Sequence, residues 1–188
     1  MSQENLEIIR RPLRVREVST RTLDQRFLLR FPRLTAAYVR LVGRLSASSR
    51  LRQAAIGRGV RVGLEAYNRR DLEAAFIGWD PGFELHPGRR WVEDGLVEPC
   101  YRGVEGFRRY AEAADTIAGG KLYLRQVELI DFGGRLLILA DAPTHPQASD
   151  APPSDPFAIH AELEGGRVIR AQEYFDHPEA LEAAGLRE

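Results

Sequence analysis

The sequence predicts an α+β fold in which helices pack across an antiparallel sheet. Three observations carry that prediction. Two glycine pairs, Gly133-Gly134 and Gly165-Gly166, each separate two strand-like runs, and glycine readily takes the positive φ that a tight hairpin turn needs. Helical patterns fill most of residues 19–78 and then 103–114. The chain closes on a short helix with Asp176 as its cap, Pro178 in the first turn, Glu179 three residues after the cap and Gly185 as its stop.

Residues 1–11 read as one or two helical turns, with Leu6, Ile8 and Ile9 apolar and Pro12 interrupting. Thr22 and Gln25 have capping-box spacing, and Leu23, Phe27, Leu28 and Phe31 follow on one stripe. Pro32 restarts the pattern, which Leu34, Tyr38, Leu41, Val42 and Leu45 carry to residue 45. Ser46–Ser49 supplies a loop and a cap for a helix over 50–68, with Leu51, Ala55, Val62 and Ala66 roughly in phase. Asp71 caps a short helix over 72–78, and Phe83–His86 is a short strand. Residues 87–100 are irregular, with a short strand expected near Leu96-Val97, and Gly103–Ala114 is a helix. Leu122–Ile130 and Arg135–Asp141 are strands, the second apolar throughout its centre as a strand buried on both faces would be. Residues 143–156 are so rich in turn formers that a long mobile loop is expected. Phe157–Leu163 and the run after Gly165-Gly166 are the last two strands.

Composition narrows the function. At 188 residues the chain can form one domain with a good core, or one domain with an extension. The net charge is zero, yet residues 1–70 hold 16 Arg against 5 Asp or Glu, and residues 71–188 hold the opposite surplus. That split fits a basic segment lying across an acidic body. It also fits an arm for nucleic acid or an anionic membrane surface, whose binding would weaken steeply with salt. The lone Cys100 excludes an internal disulfide, and with no neighbouring activator it reads as an inert thiol. Met1–Glu7 shows no basic start followed by an apolar stretch, so a cytoplasmic location is expected.

Gly63–Phe76 (GLEAYNRRDLEAAF), Tyr101–Phe107 (YRGVEGF) and Phe157–Leu186 together resemble the nuclear transport factor 2-like superfamily, most closely its SnoaL-like (polyketide-cyclase-like) branch. The resemblance spans roughly residues 55 to 187. It implies that the sheet curves into a cone with helices across its mouth, giving a SnoaL-like domain over 51–188 behind an Arg-rich amphipathic helical extension over 1–50. It also implies a homodimer and a pocket between the concave sheet face and the helices. The fold carries isomerases, hydrolases and cyclases as well as modules that only bind or dimerise, so it does not fix a reaction.

No phosphate loop, zinc spacing, nucleophile elbow or dinucleotide fingerprint occurs, so no metal or cofactor is expected and the chemistry must rest on a pocket for a hydrophobic small molecule. Three residues are candidate acids or bases. Glu173 shares a strand face with Ile169, Ala171 and Phe175, where desolvation would raise its proton affinity; the competing reading is an ion pair with an arginine of the N-terminal helices. Asp141 closes its strand in phase with Leu137 and Leu139, and is otherwise a turn residue. His160 has the right pKa range for a base, yet alternation sets it opposite Phe157, Ile159, Ala161 and Leu163, toward solvent or a dimer interface. Trp79, His86, Trp91, Tyr101, Tyr110 and Phe175 are candidate ligand contacts, since aromatics with a polar edge suit a flat hydrophobic ligand; Trp79 reads first as core, and Tyr101 and His86 equally as core or lid. No Tyr-plus-two-Asp set of the isomerases and no Asp-Arg-Asp set of the epoxide hydrolases stands at matching positions. Three functions remain: a cofactor-free cyclase, isomerase or hydrolase; a non-catalytic dimeric binding module; and an anionic-surface binder acting through the basic segment.

Overall fold

The architecture comes from a computed structural model that describes residues 9–140 and 156–186. Strand β1 (Ile9–Arg14) precedes helices α1 (Leu23–Arg30), α2 (Pro32–Arg44), α3 (Arg50–Asn68) and α4 (Leu72–Ala75). Then come β2 (Trp79–His86), α5 (Arg89–Glu93), β3 (Tyr101–Arg102), α6 (Gly103–Ile117), β4 (Gln126–Asp131) and β5 (Arg135–Ala140). The hairpin β6 (Phe157–Glu164) and β7 (Arg167–Tyr174) and helix α7 (His177–Ala183) complete it. The strands form one open sheet in the order β1-β4-β5-β6-β7-β2-β3. All its pairings are antiparallel except β2 with β7, which is parallel. This is the α+β fold that the sequence predicts.

The local signals act as read. The Thr22 hydroxyl accepts from the Gln25 amide while the Gln25 side chain returns to the Thr22 N–H, so both members of the capping box are made. Ser49, Asp71 and Asp176 cap α3, α4 and α7 through side-chain oxygens. Gly165 and Gly166 take φ of 56° and 83° between β6 and β7. β5 is buried on both faces. Leu136 and Ile138 join the core under the helices, while Leu137 and Leu139 pack with Ala180, Leu181 and Ala184 of and just beyond α7 on the reverse face.

Four expectations are corrected. Residues 9–14 are an edge strand paired with β4, not a helical turn. Pro12 is tolerated there because an edge strand has a side without a partner for the missing N–H. Residues 89–93 are a helical turn instead of irregular chain, and the expected strand at Leu96-Val97 falls at Tyr101-Arg102. Helix α3 buries Val62 and Ala66 of the apolar phase expected of it, but its first turn departs: Leu51 is exposed, and Arg52, with Gly57 and Glu65 further on, is buried. The loop 143–156 lies outside the described residues.

The basic segment is tied to the body by polar contacts. Arg16 pairs with Glu65, Arg21 with Asp71 and Glu73, Arg58 with Asp24, Arg69 with Asp71, and Arg70 with Asp115. Asp71 answers two arginines and the Ala74 N–H; Arg21, the largest influence, holds its carboxyl down at about 2. Buried Gln25 anchors α1 by donating to the Val62 carbonyl and accepting from Arg69. Arg52 ties α3 to Asp131 and to the carbonyl end of α2.

Helix α2 lies directly on the β6–β7 turn. A Cβ at Gly43 would stand 2.6 Å from the Gly166 Cα, and one at Gly166 would stand 2.3 Å from the Val39 carbonyl oxygen. Gly59 of α3 has nothing within 4 Å of such a Cβ. The two glycines should therefore respond with opposite signs. Gly43→Ala is expected to destabilise by about 1–3 kcal/mol because backbone must move. Gly59→Ala is expected to stabilise by roughly 0.5–1 kcal/mol through helix propensity alone. Urea unfolding of the two variants checks this, and equal effects would remove the close approach of α2 to the hairpin.

Candidate functional site

Between the sheet and the helices lies a cavity of about 830 Å³. Its floor is the inner face of β5, β6 and β7, through Leu136, Ile138, Ile159, Ala161 and Val168. Helices α3 and α6 supply Ile56, Val60, Tyr67, Phe107 and Tyr110, and helices α1 and α2 close one side with Leu28, Val39 and Val42. The extension is thus part of the cavity wall, which helical periodicity alone does not reveal. Trp79 and Trp91 both line the cavity. Trp79 meets Phe76 and Phe83 edge to face, and Trp91 lies 4.6 Å from Phe175, ring centre to ring centre. Aromatic packing of this kind fixes the wall while leaving the interior open.

Among the described residues only Glu173 and Arg90 bring charge to this lining. β7 alternates so that Ala171 and Glu173 point inward and Gln172 outward, where its amide donates to the carbonyls of His86 and Pro87. Glu173 is 3% exposed and has no arginine partner of the kind the competing reading required. The Tyr110 hydroxyl donates to its Oε2, and the Gly88 N–H donates to the same carboxyl. Gly88 is required there, since a Cβ would stand 2.3 Å from the Phe175 ring. Burial dominates the electrostatics and pushes the carboxyl up to about 8, against the two hydrogen bonds that favour the charge. Burial likewise raises Tyr110 well above the ordinary tyrosine range, with the neighbouring Glu173 charge adding to it. Tyr67 is raised by burial too, partly offset by Arg70, whose guanidinium stacks 4.7 Å from the Tyr67 ring centre. Glu173 also borders a second recess of about 320 Å³ with Arg89, Arg90, Glu93 and Glu179.

The remaining candidates separate. Tyr110, Phe175, Trp79 and Trp91 meet Glu173 at the cavity. Tyr101 is buried one layer behind, its ring 5.4 Å from that of Tyr110 and its hydroxyl accepting from the Glu98 N–H. His160 faces away from the cavity, opposite Leu137 and Gln172. Desolvation lowers its pKa, Arg135 adds to this, and Glu162 opposes it. His86 also misses the cavity and meets the Glu84 carboxylate at 3.2 Å. Asp141 lies outside the described residues, and Leu137 and Leu139, whose phase it continues in sequence, pack against the α7 side of the sheet. Tyr67, Arg90 and Phe107 line the cavity without having been singled out; Tyr67 and Phe107 fall in stretches that carry the family resemblance. Glu84, His86 and Cys100 set one donor atom each within 4.8 Å of one another, the single metal-capable group among the described residues, but Arg102 already occupies the Glu84 carboxylate at 2.6 Å.

No protein-family model and no curated protein matches the chain. Solved structures do. TerC, co-crystallised with polyporic acid, is 21% identical; the match covers 66% of this chain and 94% of that one, with a TM-score of 0.51. An NTF2-like protein of unknown function from Burkholderia pseudomallei is 22% identical over 66% of this chain and 93% of its own, with a TM-score of 0.51. A SnoaL-like protein of unknown function from Burkholderia thailandensis follows at 18% identity, 65% and 95% coverage and a TM-score of 0.49.

Proposed function

We propose that this chain, which has the nuclear transport factor 2-like fold, binds a hydrophobic small molecule in its cavity and moves a proton on it with Glu173. Within that fold we assign it to the SnoaL-like branch on the three sequence stretches that carry the resemblance. The observation behind the proposal is Glu173 itself: a carboxyl held at about 8 in an apolar cavity, with a tyrosine hydroxyl as its side-chain partner. Most structural carboxylates avoid such a place, because desolvating a charge without an ion pair is costly.

The geometry suits acid–base chemistry near neutral pH. Neutral Glu173 can donate to a ligand carbonyl or epoxide oxygen. Ionised, it is a stronger base than an ordinary carboxylate, able to take a proton from carbon next to a carbonyl and return it elsewhere on the same molecule. Tyr110 orients the carboxyl and stabilises its charged form. Tyr67, kept protonated by burial, is a second donor on the cavity wall for an oxygen that gains charge. Protons reach Glu173 from the smaller polar recess on which it also borders. The cavity volume falls in the range of sites for drug-sized ligands, and a neighbour of the same fold, TerC, was crystallised with polyporic acid.

Both tryptophans of the chain line the cavity, so intrinsic fluorescence reports on its occupancy. Titration with flat aromatic ketones and quinones is expected to give saturable quenching. Gly59→Phe, which projects a ring from a cavity-lining position where a Cβ meets nothing within 4 Å, is expected to weaken it. For a ligand that turns over, Glu173→Gln should keep binding within a few-fold and lower kcat by roughly 10²–10⁴. Turnover unchanged in Glu173→Gln would overturn the proton-transfer role, and quenching unchanged in Gly59→Phe would overturn the cavity as the binding site.

A further inference from the structure

Twelve of the 16 arginines of the first 70 residues fall into two sets. Those at positions 10, 16, 21, 52, 58, 69 and 70 pair with carboxylates of the fold. Arg26, Arg30, Arg33, Arg40 and Arg44 of α1 and α2 are exposed and form no ion pair with a described residue; Arg40 reaches only the Ala36 carbonyl of its own helix. The lone acid of the two helices, Asp24, is taken by Arg58.

The same two helices carry most of the exposed large apolar side chains. Of nine such residues among those described, six lie between Leu23 and Leu41, and the other three are Leu51, Leu96 and Ile117. On α2 the helical period puts Thr35, Val39 and Val42 inward. Leu34 and Leu41, 59% and 60% exposed, point outward beside a row formed by Arg33, Arg40 and Arg44. On α1 the outward face is Leu23 and Phe27 with Arg26 and Arg30, opposite buried Gln25.

We propose that the outer face of α1 and α2 docks on an anionic lipid bilayer. Exposed leucine and phenylalanine next to arginine is the pattern of a helix lying in a membrane interface: the apolar groups enter the acyl boundary and the guanidinium groups stay with the phosphates. The charge argues against the other occupants. A second copy related by a two-fold axis would bring these arginines against their own equivalents. A nucleic acid would neutralise the arginines and leave the leucines without a role. Docking in this orientation sets the cavity wall at the bilayer surface, because Val39 and Val42 line the cavity from the inner side of the helix whose outer side meets lipid. A hydrophobic ligand then has a short path between the two. Docking does not depend on Glu173 chemistry, so its success or failure is separate from that of the proton-transfer reading.

The test is co-sedimentation of the full chain with vesicles of phosphatidylcholine containing about 30% phosphatidylglycerol, against phosphatidylcholine alone. Binding to the anionic vesicles is expected to be at least roughly tenfold tighter, and to fall off at about 0.5 M NaCl, where exposed charges are screened. Leu34→Ser/Leu41→Ser and Arg33→Gln/Arg40→Gln/Arg44→Gln should each weaken it by roughly tenfold or more with thermal unfolding unchanged. Absence of binding to the anionic vesicles, or equal binding to both kinds, overturns the proposal. So does a wild-type dimer that Leu34→Ser/Leu41→Ser converts to a monomer without affecting vesicle binding. Tight binding to duplex DNA that survives the leucine changes and is lost with the arginines would likewise assign the face to nucleic acid instead.

Discussion

Glu173→Gln is expected to remove most of the fall in stability that the wild-type protein shows between pH 5 and 8. The sign follows from proton binding. In the unfolded chain this carboxyl titrates at its ordinary 4.5, and in the folded chain at about 8. Between those values the folded state holds the proton that the unfolded state has lost, so raising the pH favours unfolding. The contribution is fully present below 4.5, is lost as pH rises through 8, and changes no further above that. A gap of this size corresponds to roughly 4–5 kcal/mol, at about 1.4 kcal/mol for each tenfold in proton affinity. Glutamine has the shape of the neutral acid and cannot ionise, so the variant should be nearly flat over the same window. It should be less stable than wild type at pH 5 by about 1 kcal/mol for the imperfect amide hydrogen bonds, and more stable at pH 8.5. Tyr110→Phe widens the window: it removes a hydrogen bond that favours the charged carboxylate, so the fall should still begin near 4.5 but continue to higher pH than in wild type. Chemical unfolding of the three proteins from pH 5 to 9 decides it, and parallel curves for wild type and Glu173→Gln would mean that the carboxyl is hydrated and not desolvated.

Glu173 was within reach of sequence reasoning because its signal is local. Strand alternation puts it on the face of Ala171 and Phe175, and a carboxylate among such neighbours is conspicuous. The hairpins at Gly133-Gly134 and Gly165-Gly166 and the caps at Thr22, Ser49, Asp71 and Asp176 were legible for the same reason: each is a demand that a few consecutive residues make on their own backbone. Tyr110 as the partner of Glu173 was not, because the contact joins residues 63 apart. Strand β1 failed differently. Ile-Arg-Arg-Pro-Leu-Arg has neither period, and it becomes a strand only because β4 offers an edge. The arginines were visible as a surplus but not as two sets, since only tertiary contacts separate those neutralised by the body from those left on α1 and α2. Arg52 illustrates this: the expected phase holds at Val62 and Ala66 but fails at Leu51, and the residue buried in that first turn is a cation.

Arg52→Ala is expected to be the most destabilising single change among the arginines of the first 70 residues, at about 3–5 kcal/mol. The side chain is 1% exposed. Its Nε and Nη2 donate to the two Asp131 carboxylate oxygens at 2.7 and 3.0 Å, the forked geometry that distinguishes arginine from lysine. The Nη1 donates to the carbonyls of Gly43 and Leu45 at 3.1 and 3.2 Å, satisfying the end of α2, and the Nη2 also reaches the Gly133 carbonyl in the β4–β5 turn. One guanidinium therefore joins three segments that share no local sequence. Deleting it strands the buried Asp131 carboxylate and leaves the last carbonyls of α2 unpaired. The cost is that of orphaned polar groups more than of a lost attraction. A double-mutant cycle separates the two. Asp131→Leu in the Arg52→Leu background should recover a large part of the loss, because the pair is replaced by packed apolar groups. The recovery should remain incomplete, since the α2 carbonyls still lack a donor. Urea unfolding supplies the free energies. Additive single-mutant costs, with no recovery in the double mutant, would mean that Arg52 and Asp131 act independently and that the anchor of the cavity-covering helix lies elsewhere.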